Sequence, residues 1–322
     1  MPAPKLRRRT VLAAMSASVL AVGGVTVASQ LEASAAESSP VGFASLNGGT
    51  TGGSSSTVVT VTSASALKSA LSSSTSQTVR VSGLISISGM YNVASNKTVI
   101  GVGSGSGITG GGLNLSGVRN IILRNLVFRN ASDDSINVQT NTTNVWIDHN
   151  DLANGYDGLI DIKRGSDFIT VSWNRLHDHD KSMLLGHSDD NGSQDIGHLR
   201  VTYVHNWFDG TNQRHPRVRF GNPVHVLNNY YSNIGSYGVA STENAGVFVE
   251  RNYFENVKSP TVTQTGDSAA GNLKVLNNYK VNSGTEQVRN GASVAAIPYS
   301  YTPEANNTVK ATVTAGAGTG KI

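Results

Sequence analysis

Between Thr211 and Tyr231 the chain reads TNQRHPRVRFGNPVHVLNNYY, which places Arg214, Arg217 and Arg219 within six residues and no acid among them. A charge run of this kind ordinarily marks a solvated basic face. A preference for an anionic partner would have to come from local clusters such as this one. Acids stand elsewhere. Asp133 and Asp134 lie in ASDDSINV, and Asp157 and Asp161 bracket a turn at Gly158 in YDGLIDIKRGS. Carboxylates are hard oxygen ligands that suit calcium, although any single one of them is also a turn aspartate bonding its own backbone. His177 and His179, with Asp178 and Asp180 beside them, would share a face in a strand and raise zinc as a rival metal. No third ligand follows at a zinc spacing, so satisfied loop histidines are the simpler reading. His149, between Asp148 and Asn150, reads as structural for the same reason.

These residues must be brought together by the elements that carry them. Short runs of alternating apolar and polar residues recur, each ending near an asparagine: Asn125, Asn150, Asn174, Asn206, Asn229, Asn252 and Asn278, at spacings of 25, 24, 32, 23, 23 and 26. Period two means strand. A repeat near 24 residues without helical pattern between strands predicts a coil of short strands stacked on its own copies, a parallel β-helix. Coils lie about 4.8 Å apart, so a repeated asparagine forms a ladder of side-chain amides. The same asparagine tolerates the left-handed backbone of a sharp corner. A β-sandwich has no reason to repeat it.

Stacking turns sequence distance into proximity. Asp134 precedes Asn150 by sixteen residues and Asp157 precedes Asn174 by seventeen, so successive coils set these two aspartates side by side. The 32-residue gap between Asn174 and Asn206 holds an insertion, HDHDKSMLLGHSDDNGSQDIGH, and insertions in solenoids map to loops on one face. An open strand edge must be covered. The amphipathic run Ser63 to Ser72, with Ala64, Leu67 and Leu71 at helical spacing, is the expected N-terminal cap. The tail from Tyr279 onward lacks asparagine runs and is expected to pack along the outside.

Residues 1–35 have a basic start, an apolar middle and a small-residue end, with Arg7-Arg8-Arg9 ahead of Thr-Val-Leu. This pattern predicts a twin-arginine-like export signal cut after Ala35, and hence a secreted, extracellular protein without a membrane anchor. Lys5, Arg7, Arg8 and Arg9 against Glu32 account for three of the four net positive charges, so the mature chain is close to neutral. Nothing in that balance suggests nucleic acid as a partner. Residues 36–56 are Gly/Ser-rich and predict a flexible leader, followed by a single domain over 57–322. There is no cysteine, so core packing and hydrogen bonds must hold the fold. A monomer is the default for such a stack.

The motifs NVWIDHNDL, DGLIDIKRGSDFITVSWN, HDHDKSMLLGHSD and RHPRVRFGNPVHVLNNYY, in this order, resemble the pectate lyases of polysaccharide lyase family 1, extracellular bacterial type. SNKTVIGVGSGSGITGGGLNL and the closing GAGTGK look like the same family, and the likeness runs from about Val58 to the C-terminus. The resemblance implies an all-β, right-handed parallel β-helix, calcium, and cleavage of polygalacturonate by β-elimination to 4,5-unsaturated oligogalacturonates. Position by position, it implies that Asp134, Asp157 and Asp161 are calcium ligands, with Asp133 the competitor for the first place. It implies Arg214 as the catalytic base and Lys181 and Arg219 as ligands of the substrate carboxylate. Arg217 receives no role. A pectin lyase working without calcium on methyl-esterified chains, and a β-helix that only binds polysaccharide, are the alternatives. Neither has a reason to keep the three aspartates together with Arg214.

Overall fold

The computed structural model describes residues 37–322; the export-signal segment 1–35 lies outside the described residues. The chain winds as a parallel β-helix of three sheets. One sheet has ten parallel strands in coil order, from Val58–Val61 to Asn272–Leu276. The other two are joined through the long strand Gly107–Ser116. Its first residues pair with Val127–Arg129 and its last with Ile136–Gln139, and the chain of pairings separates from there. No helix among the described residues is long and apolar enough to cross a membrane.

The alternation read from the sequence places every second side chain inside. Leu123, Ile147, Val171, Tyr203, Val226 and Val249 stand in register on successive coils of the first sheet, and all are fully buried. Phe208, Tyr231 and Phe254 continue the same logic on another sheet, with ring centroids 4.8 and 4.5 Å apart. Each such side chain contributes about 1.5–3 kcal/mol by leaving water. Stacking like on like is therefore enough to hold the coils without disulfides.

The asparagine ladder runs from Asn150 through Asn174, Asn206, Asn229 and Asn252 to Asn278. Each side-chain amide donates to the Oδ1 of the next, at 2.9 to 3.0 Å. Each backbone N–H donates to that same oxygen. Two expectations need correction. The ladder asparagine is not the left-handed residue. That conformation belongs to the residue before it: His149, Trp173, His205, Asn228, Arg251 and Asn277 all have φ between 51° and 55°. Asn125, with φ 55°, is the equivalent of those residues and lies outside the ladder; its coil offers Leu126 N–H to Asn150 instead. The two tasks conflict within one residue, because the ladder residue must aim both its N–H and its amide along the stack. The left-handed row carries its own stack, Trp173 lying between His149 (5.6 Å) and His205 (4.2 Å).

Helix α1 (Ala64–Ser72) is capped by Ser63, whose side chain accepts from Ala66 N–H, and buries Leu67, Ala70 and Leu71 against the first coils. The Gly/Ser-rich stretch is not the free leader its composition predicts. Phe43 and Ala44 are fully buried, and their N–H groups donate to Thr202 and Thr170 at 3.1 Å. From there the chain crosses coil after coil, bonding Asn144, Asn120 and Thr98, before it enters the first strand. Glycine serves here for close approach: a Cβ on Gly53 would lie 1.8 Å from the Gln77 carbonyl.

The tail also runs back over the stack. Tyr299 bonds Thr202 and His225, and Tyr301 bonds Glu250. Helix α2 (Gly192–Asp195) belongs to the insertion, and helix α3 (Val309–Gly316) to the tail. The latter buries Val309 and Val313 beside Tyr230. Gly318 then donates to the Trp173 carbonyl and Gly320 to Asn125 Oδ1.

Candidate active site

On the second sheet, Asn137, Asp161, Leu184, Arg217 and Ala240 occupy one register row on five successive coils. Ile160 and Ile162 point into the core, so Asp161 between them points out; Val218 does the same for Arg217 and Arg219. The acids and the arginines thus share the outer face of one sheet.

Asp161 is nonetheless 3% exposed, because Asp134 from the preceding coil and the Gly158 turn close over it. Asp134 Oδ1 accepts from Gly158 N–H at 3.0 Å. A Cβ on Gly158 would stand 2.6 Å from Asp161 Oδ1 and 2.8 Å from Asp134 Oδ1, so only glycine leaves both carboxylates in place. Asp157 sits across the turn, half exposed, and accepts from Lys181 Nζ at 2.7 Å. Asp133, Asp134 and Asp157 each present a carboxylate oxygen within 4.8 Å of the others. The structure therefore brings Asp134 and Asp157 together, adds Asp133, and puts Asp161 beside Asp134.

Lys163 escapes a reading by motif. Its Nζ lies 3.3 Å from Asp134 Oδ2 and 3.7 Å from Asp161 Oδ2. The available signal was its spacing: two residues after Asp161 on a strand is the same face. Even with this cation nearby, burial first and then the charge of Asp134 push Asp161 up to about 7. Burial also raises Asp134 above the ordinary carboxylate range, against the pull of Lys163. Asp157 goes the other way, held low by its hydrogen bond from Lys181. Carboxylates crowded against their own repulsion, with the buried Asn137 Oδ1 unpartnered in the same row, make a donor set of hard oxygens. That set fits a divalent cation such as calcium.

Lys181 pairs with Gln213 one coil on, which sets Arg214 opposite Ser182. Arg214 is left-handed, with φ 64°, and its carbonyl accepts from Met183 N–H at 2.7 Å. Its Nε is buried and meets no acceptor among the described residues, and its charge reaches Asp157 and Asp161. Arg219 is 8% exposed, and its Nε donates to Asp189 at 2.5 Å. Arg217 donates to Ser268 Oγ at 2.7 Å. The two histidines weighed for zinc part company. His177 bonds Asp151 and Asp178 on the third sheet, while His179 bonds the Asp157 carbonyl.

A model of the family described as pectate lyase matches residues 8–322. A pectate trisaccharide-lyase of Bacillus licheniformis is 37% identical over 94% of this chain and 95% of its own. A probable pectate lyase B of Aspergillus terreus is 40% identical over 82% of this chain and 84% of its own. Among solved structures, a pectate lyase of Bacillus sp. N165 in complex with trigalacturonate superposes with a TM-score of 0.79. It is 31% identical, covering 88% of this chain and 99% of that one.

Proposed function

The chain belongs to the pectate lyase family and is a polysaccharide lyase, and from that premise we propose that it cleaves polygalacturonate by calcium-assisted β-elimination outside the cell. The observation that carries this reading is the convergence of Asp134, Asp157 and Asp161 with Lys181 and Arg214 on one outer face. The trigalacturonate bound by the Bacillus sp. N165 relative supports the substrate class. Asp134, Asp157 and Asp161, with Asp133 adjoining, would hold calcium, which when bound draws charge from the uronate carboxylate and so acidifies C5–H. Lys181 and Arg219 orient that carboxylate by charge-assisted hydrogen bonds. Arg214 takes the C5 proton. The C5–H electron pair becomes the C4–C5 double bond, the C4–O bond breaks, and the departing oxygen takes up a proton to complete the new chain end.

Guanidinium is a weak source of base. This implies an alkaline optimum. Residues 1–35 would direct export. The test is ultraviolet absorbance of the unsaturated product from polygalacturonate with calcium. Excess chelator should abolish it and added calcium restore it, whereas zinc should not. Full activity in chelator, with a preference for methyl-esterified pectin, would favour the calcium-independent alternative. Binding without product would favour a polysaccharide-binding β-helix.

A further inference from the structure

The insertion between Asn174 and Asn206 ends in contacts that the proposed chemistry leaves unexplained. Asp189, within it, accepts from Arg219 Nε at 2.5 Å and from the Ser268 hydroxyl at 2.7 and 2.8 Å on its two oxygens. Ser268, fully buried and 79 residues further along the chain, accepts in turn from Arg217 Nη2 at 2.7 Å. Arg217 also donates to the Thr265 carbonyl at 3.4 Å, and Arg219 Nη1 to the Gly186 carbonyl at 3.3 Å. The loop passes this close because Gly186 lacks a side chain: a Cβ there would lie 2.7 Å from the Arg219 Cβ, and its φ is 95°.

We infer that Asp189 is a positioning residue for substrate binding: with Ser268 it fixes the guanidinium of Arg219, and through the same hydroxyl it ties down Arg217. This rests on the reading of Arg219 as a ligand of the uronate carboxylate. The side chain of Asp189 is 42% exposed, so solvent screens the ion pair and little stability comes from it. Geometry is what the contact supplies. A free arginine side chain has about 2 kcal/mol of rotamer entropy to lose when it grips an anion. Held by Nε and by one Nη1 bond, Arg219 has already lost it, and three of its five N–H donors remain for substrate. Arg217 gains a function from the same network: its charge is fixed two coils from Asp161, without a carboxylate of its own.

The experiment uses the full chain. Asp189→Ala, Asp189→Asn and Ser268→Ala are compared with wild type by initial rates on polygalacturonate with calcium, by thermal unfolding, and by calorimetric binding of trigalacturonate. Asp189→Ala should raise KM about tenfold, the equivalent of one misplaced charge-assisted hydrogen bond, with kcat within about twofold. Ser268→Ala should raise it about threefold, and Asp189→Asn should fall between the two. Trigalacturonate binding should weaken in step with KM. An unchanged KM in folded Asp189→Ala overturns the inference, and so does a lower one, which would make Asp189 a competitor of substrate. If Asp189→Ala does not fold, Ser268→Ala decides by the same criterion. A wild type that yields no unsaturated product refutes the proposed function instead, and trigalacturonate binding then judges the positioning role alone.

Discussion

On the proposed reading Asp161 would carry two opposed duties, which calcium would separate. Its folded-state proton affinity, near 7, is far above the 3.8 of a free aspartate. The folded state therefore binds the extra proton between these values, and stability falls as pH rises from about 4 to 7. Above pH 7 the full cost of the buried charge is present. Asp161→Asn removes that charge and keeps the shape. In chelator at pH 8 the variant should melt higher than wild type, by roughly 5 °C. With saturating calcium the order should reverse, because a ligand that binds the folded state stabilises wild type more. A variant that melts lower under both conditions would make Asp161 a structural turn residue. Arg214→Lys asks a different question of a single position. Lysine keeps the charge but changes stem and hydration. If Arg214 takes the proton, turnover should drop by about 10²-fold or more with KM little altered. Near-normal turnover would pass the role to Lys181. The aspartates are legible as a group from type and spacing, whereas Lys181 and Arg214 draw their proposed roles from the family resemblance alone. Lys163 is not legible, because its meaning depends on the tight Gly158 turn that folds Asp134 back over Asp161.

Among the elements, the asparagine ladder shows how a correct repeat can still be read one residue out of register. The sequence offers both Asn125 and Asn150 as ends of similar runs, and the paired asparagines at 228–229 and 277–278 blur the difference. Only the backbone distinguishes a residue that turns the corner from one that bridges coils. The energetic consequence differs as well. Asn206→Ala removes the acceptor of two donors from Asn174 and takes the side-chain amide donor away from Asn229 Oδ1, which keeps only the backbone N–H of residue 206. Buried unpaired groups cost about 1–3 kcal/mol each, so the loss should be about 3 kcal/mol or more by urea unfolding. Asn125→Ala gives up amide bonds to the Gly101 and Gly103 carbonyls and the acceptor of Gly320 N–H, the last two part-buried, and adds left-handed strain, for about 2 kcal/mol. Equal losses would mean the ladder has no special weight. The leader departs from its composition for a related reason: Gly and Ser predict freedom, whereas contact with the sheet requires small residues here.

Across the whole molecule, coils stack in one direction while leader and tail lie crosswise over many of them. Each coil alone touches only its neighbours, and such an array can open from either end. A leader running from Thr202 to Thr98 and a tail reaching from Glu250 back to Asn125 join coils that never meet otherwise. Ending the chain before Val309 should therefore lower the melting temperature by more than the burial of Val309 and Val313 alone predicts, and make unfolding less cooperative. A single sharp transition at nearly the wild-type temperature would refute this.

The tryptophans stand where these straps dock. Trp146 packs with Ala44 of the leader, under the guanidinium of Arg124. Trp173 lies between two imidazoles beneath Gly316, and Trp207 lies between Arg175 and Tyr230 beside α3. The protein thus carries its own optical gauges. Emission from one indole follows release of the leader, and emission from the other two follows release of the tail. With single-tryptophan variants, the order in which the straps lift can be timed without attaching a dye.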